Sequence, residues 1–253
     1  MKWLTLLSSA ALATASSCAS YPTTTVAGVE VIDTQIVRDA RALVKTFDPF
    51  LYKHVMRCFL FGSAYLNLNE TYKATVDVEV HALATLLHDL GWIMPPKSQW
   101  WTYTNRFEVD GALGALKFVA DHADAKQFSL ERTNNLQYGI RLHGNFGLEV
   151  GTTPTVAQIV TSIHLDNPDT PLPLPNATAN AIIEAFPNFD IAAGANYTFT
   201  EFCKLKPDVT YNTINENFGT AYVAGYNVTG KHPFDYITAA IESSTYHFTP
   251  SGP

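Results

Sequence analysis

The stretch Val80-His81-Ala82-Leu83-Ala84-Thr85-Leu86-Leu87-His88-Asp89-Leu90-Gly91 is an apolar run that ends on an adjacent His-Asp pair. A carboxylate at the end of such a run is costly to bury unless something offsets its charge. A divalent metal does so, because imidazole nitrogen and carboxylate oxygen are good donors for zinc, iron or manganese. By itself the dipeptide also fits a helix end whose His and Asp face water, so the wider pattern has to decide. His81 precedes His88 by two helical turns and shares its face, which suits a packed or supporting histidine better than a ligand.

Helices must position these groups. Residues 20–33 read as an extended lead-in. From Asp33 the apolar residues Ile36, Val37, Ala40, Leu43, Val44 and Phe47 recur at helical spacing, with Asp33 or Thr34 as cap and Pro49 as the stop. A second helix is expected over Phe50–Asn67, carrying His54 and Arg57, and a third over residues 76–91, with Gly91 ending it. Residues 92–106, with Pro95, Pro96, Trp100 and Trp101, form a structured loop. Asp110 is expected to N-cap a helix reaching about His122, and Ser129 one reaching His143. An apolar stretch from Thr155 to Asp166 stops at the proline-rich segment 168–175. Short helices follow, the last over Phe234–Ser243. Strand-like alternation is rare, so the expected fold is all-α.

Flanking residues narrow the reading. Phe50-Leu51-Tyr52-Lys53-His54-Val55-Met56-Arg57, then His88-Asp89-Leu90-Gly91, Arg106-Phe107-Glu108-Val109-Asp110-Gly111-Ala112, Ile140-Arg141-Leu142-His143 and the stretch ending in Asp166 follow in order. Over residues 27 to 170 this pattern resembles the HD-domain superfamily, in its cyanamide hydratase-like branch. The resemblance implies a compact HD-type helical bundle with a metal site between helices. Its ligands would be His54, His88, Asp89 and Asp166. Val55, where a small residue is common, and Ser162-Ile163-His164-Leu165-Asp166, without the usual glycines, depart from the pattern.

The resemblance also implies a reaction: hydration of a small C≡N compound, with cyanamide going to urea as the leading case. Asp89 or Asp166 would relay a proton, and His143 would be a donor. One divalent ion is implied, zinc first, with iron or manganese as alternatives. A metal-dependent phosphohydrolase is the rival reading, and a secreted binding protein on the same scaffold is a third. Many HD phosphohydrolases carry a lysine soon after the His-Asp pair. Here Leu90-Gly91-Trp92-Ile93 follows, and Lys97 lies beyond two prolines. Trp92, Trp100 and Trp101 suit a tight apolar pocket instead. Arg57, one turn after His54, would hold a carboxylate or form a structural ion pair. His122, His232 and His247 read as surface residues, and His164 as pointing away from Asp166.

The 253 residues carry a formal charge of −7 and no basic cluster. Nucleic acid and anionic membranes, which need clustered positive charge, are therefore not expected partners; a small-molecule substrate is. Lys2 followed by the apolar run Trp3–Ala13 reads as a secretory signal cleaved after Ala15 or Ala19, leaving a single domain over 20–253. The sequons at Asn69, Asn176, Asn196 and Asn227 agree with a secreted, N-glycosylated protein. Cys58 and Cys203 would then remain, as a disulfide or as two buried thiols. Oligomeric state is left open.

Overall fold

Helix α4 (Val78–Leu87) is buried along nearly its whole length, and the other elements are arranged around it. The computed structural model describes residues 21–145, 147–167 and 170–243. The expected leader Met1–Ala19 and His247 lie outside them. The chain enters through a hairpin, β1 (Thr23–Val26) and β2 (Val29–Ile32), turned by Ala27 and Gly28, both at positive φ. This two-residue turn suits the right-handed twist of the strands. The expected extended lead-in is thus a paired ribbon. It is followed by α1 (Gln35–Val44), α2 (Pro49–Leu66) and the single turn α3 (Glu70–Lys73). Pro49 opens α2 at a position where its missing N–H is no loss, rather than merely closing α1.

After α4 come α5 (Phe107–Asp121), α6 (Leu130–Leu142), α7 (Pro154–His164), α8 (Asn176–Ala185), α9 (Ile191–Leu205), α10 (Glu216–Tyr222) and α11 (Pro233–Ser243). Helices α2, α4, α6 and α7 pack on one another to form the centre of an all-α bundle. Ser129 caps α6 as expected, its hydroxyl accepting from Arg132 N–H. The buried Glu79 is balanced by Arg132, which also grips Asp77. A bare carboxylate there would be strongly destabilising.

The Asp110 expectation needs correction: α5 begins at Phe107, so Asp110 lies inside its first turn. Its carboxylate accepts from Thr102 N–H and Oγ1, Asn105 Nδ2 and the buried Lys206 ammonium, fixing the 98–106 loop to the helix. Lys206 also lies 4.4 Å from the Trp101 ring centre. The two thiols are separate. Cys203 donates to Asn215 carbonyl at 3.2 Å, and Cys58 lies beneath His54, so the chain holds buried free thiols and no Cys58–Cys203 disulfide. Of the sequon asparagines, Asn69, Asn176 and Asn227 are exposed and Asn196 is half-buried on α9.

His81 stands apart from the other α4 histidine, 2.8 Å from Ser162 Oγ between α4 and α7. Burial pushes its pKa down from 6.5 to about 4. As pH falls, the unfolded chain therefore takes up this proton first. Stability is full above about 6.5 and drains away between there and about 4. At pH 5 the loss from this site is about 2 kcal/mol. Urea unfolding at pH 7.5 and pH 5 should show that much less pH sensitivity in His81→Gln, which keeps a partner for Ser162 and does not titrate. Equal sensitivity in both proteins would remove His81 as the cause.

Candidate metal centre

At Leu87 the α-helix gives way to a 3-10 turn, His88–Trp92, inside which Asp89 leaves helical geometry (φ −101°, ψ 23°). Neighbouring residues on an α-helix point about 100° apart. The departure of Asp89 from helical geometry lets His88 and Asp89 face the same interior point. The turn lies directly against α5: a Cβ on Gly91 would fall 2.1 Å from Phe107 carbonyl oxygen, and one on Gly111 2.2 Å from His88 carbonyl oxygen. Gly91 was expected as a helix stop. Its role is this backbone contact.

His54 reaches the pair from α2. Its Nε2 lies 3.3 Å from His88 Nε2 and 3.4 Å from Asp89 Oδ2, and His88 Nε2 is 3.3 Å from the same oxygen. Donors at about 2.0–2.1 Å from a tetrahedral ion are spaced about 3.3–3.4 Å apart, so this triangle has the dimensions of a metal site. His143, at the end of α6, adds Nε2 at 3.7 Å from Asp89 Oδ1.

The proton positions strengthen the case. His88 Nδ1 is 3.0 Å from Thr85 carbonyl, and His143 Nδ1 is bonded to Ile140 carbonyl. A carbonyl only accepts, so both rings carry a proton on Nδ1 and turn Nε2 towards the centre. His54 Nδ1, 2.7 Å from Asp166 Oδ2, likewise donates to its partner. Burial opposes a charge on this ring, but Cys58 and Asp166 outweigh it and raise its pKa well above 6.5, so without a metal ion its Nε2 holds a proton as well. Three imidazole Nε2 atoms thus converge on a fully buried Asp89 carboxylate, neither of whose oxygens has a well-formed hydrogen bond. Acceptors without a donor repel unless a cation, either a metal ion or a proton, sits among them. In keeping with this, Asp89 is held below the ordinary carboxylate range: burial opposes its charge, and the rings of His88, His54 and His143 outweigh burial. Burial also pushes His143 down to about 3, with help from His88. In this neutral form its Nε2 can accept a hydrogen bond from a water.

Asp166 comes to the centre by way of His54. Arg57, wholly buried, grips it from Nε to Oδ1 (2.6 Å) and from Nη2 to Oδ2 (2.8 Å), while Nη1 binds the Phe186 and Pro187 carbonyls at 3.0 Å. Both Asp166 oxygens are engaged, and the side chain sets the ring of His54. Carboxylate–histidine pairs of this kind orient metal-binding imidazoles. Arg57 therefore performs both roles weighed for it. Cys58 Sγ is 3.8 Å from both His54 ring nitrogens, a position beneath the ring face, and completes a second His/Cys group able to hold an ion.

These groups floor a cavity of about 260 Å³. Its other walls are Trp92, Phe107, Ile191, Ala195, Phe199 and Ile214, most of them from the C-terminal third, for which the sequence offered no role. Of the three expected pocket tryptophans only Trp92 lines it, stacked on the His54 ring with planes 19° apart. His164, expected to point away, lines the same cavity as Asp166 and donates to His143 carbonyl at 2.8 Å. A larger open groove of about 730 Å³ runs between the hairpin and α3–α4 and contains His81 but none of the converging donors. Chemistry, not size, selects the smaller cavity.

Fold and site together define a helical bundle with a buried His/Asp group able to hold a metal ion. The chain matches no model of a known protein family, and no curated protein matches it.

Proposed function

We propose that this protein is a metal-dependent hydratase of small C≡N compounds, secreted and N-glycosylated, on an HD-type scaffold. The observation that carries the proposal is the triangle His54 Nε2, His88 Nε2 and Asp89 Oδ2 opening into a cavity with no lysine or arginine among its described lining residues. Three protein donors with an open position fit zinc best. Asp166 supports the set through His54. When bound, the ion supplies Lewis acidity and makes water nucleophilic near neutral pH.

The chain's own residues do the rest. His143 Nε2 accepts a hydrogen bond from the attacking water. Its low affinity for a proton makes it pass that proton on towards the nitrile nitrogen. Oxygen bonds to carbon, one C–N π bond is replaced by N–H, and tautomerisation gives the amide, or urea from cyanamide. The apolar walls exclude competing water, and the Nδ1 partners of the three rings, Thr85, Ile140 and Asp166, keep the Nε2 atoms turned towards the centre. The absence of a cationic side chain favours this reading over phosphoester hydrolysis, in which Arg or Lys ordinarily clamps the phosphate.

The test is urea formation from cyanamide by zinc-loaded protein, with a generic phosphodiester assayed beside it. Urea from wild type, reduced at least 100-fold in His143→Ala with zinc still bound, is the expected result. Phosphodiester turnover without urea would replace the proposal with its rival.

A further inference from the structure

The cavity is larger than cyanamide requires, and its two ends differ in chemistry. The donors lie at one end. At the other, Ile191, Ala195 and Phe199 of α9 and Ile214 beyond it face the space, with Trp92 and Phe107 between. A volume of about 260 Å³ equals roughly nine waters at about 30 Å³ each. Cyanamide has three heavy atoms and would leave most of that space to water against hydrocarbon, which is unfavourable. The volume also falls just short of the about 300–1,000 Å³ typical of sites for drug-sized ligands.

Resting on the hydration reading, we infer that the substrate is not cyanamide itself but a nitrile bearing an apolar body of about three to five carbons. Its C≡N end meets the His/Asp group, and its body lies along the α9 wall. α9 is thereby the specificity element of the site.

Each methylene moved from water to the wall is worth about fourfold in kcat/KM (about 0.8 kcal/mol). Across acetonitrile, propionitrile, butyronitrile and pentanenitrile, kcat/KM with the zinc-loaded full chain should climb about 50-fold in total and pass that of cyanamide. Ala195→Leu fills the wall and should cancel most of the climb. Calorimetric binding of the same four nitriles gives a second readout that does not need turnover.

Cyanamide hydration with no gain along the series would overturn the inference and leave the hydration reading in place. Tighter binding with chain length, weakened by Ala195→Leu but without turnover of any nitrile, would support the ligand class and discard hydration. Neither a rate gain nor a binding gain along the series would overturn the inference outright. Should Ala195→Leu fail to fold, Ile214→Ala, at the more exposed rim of the wall, should reduce the slope of the same series.

Discussion

Asp89→Asn should abolish metal binding and also make the metal-free protein less stable than wild type. The two effects have one cause. The Asp89 carboxylate is fully buried, and the rings of His88, His54 and His143 around it outweigh burial and hold its pKa below the ordinary carboxylate range. An asparagine removes the charge that both an ion and those rings attract, and leaves buried polar groups unpaired at a cost of about 1–3 kcal/mol. With zinc at about 100 times its Kd, wild type gains about a further 2.7 kcal/mol and the variant gains nothing. Metal content by mass spectrometry and thermal melts with and without zinc check both effects. A variant more stable than wild type in the metal-free state would show that the Asp89 charge is uncompensated there. Asp166→Asn separates a positioning role from a ligand role. Loss of the partner that orients His54 should weaken zinc about 10–100-fold rather than abolish binding.

Gly111→Ala is expected to be among the most damaging single-methyl changes in the molecule. The new Cβ would lie 2.2 Å from the carbonyl oxygen of His88, a backbone atom that no rotamer change can move. Overpacking ordinarily costs about 1–3 kcal/mol. With backbone on both sides the loss should reach the top of that range. It should also be local: α5 must back away from the 3-10 turn, carrying His88 and Asp89 out of the triangle. A fall in stability with at least tenfold weaker zinc affinity is the expected pair of results. Gly114→Ala is the control. Its Cβ meets the Leu90 side chain at 3.0 Å and Trp100 at 3.3 Å, which can give way, so it should cost less and leave zinc affinity unchanged. Equal damage from both substitutions would mean that the close backbone contact does not position the site.

The same contact explains where sequence reasoning stopped. Apolar periodicity located α2 and α4, and the Ser129 cap located α6, because those signals are local. His54, His88 and Asp89 were legible as a group and do converge. The switch from α to 3-10 at His88 was not legible, because it depends on Gly91 and Gly111 meeting across two elements. Nor was the true place of Asp110, whose partners Thr102, Asn105 and Lys206 are drawn from a loop and a distant helix. Asp166 was expected as a ligand through the family resemblance. Its hold on the other nitrogen of His54, and Arg57's hold on it, are three-dimensional facts. The aromatic and aliphatic residues of α9 look like any amphipathic helix until their neighbours are known.

The origin of the cavity walls has a consequence of its own. The floor of the cavity is set by residues 54 to 166, while its ceiling is supplied by a separate stretch, 191–214, that carries none of the converging donors. Reactivity and admission are therefore written in different parts of the chain. The ceiling can drift in bulk and shape, residue by residue, while the chemistry beneath it stays constant. A scaffold arranged this way is suited to acquiring new small molecules by revising one helix.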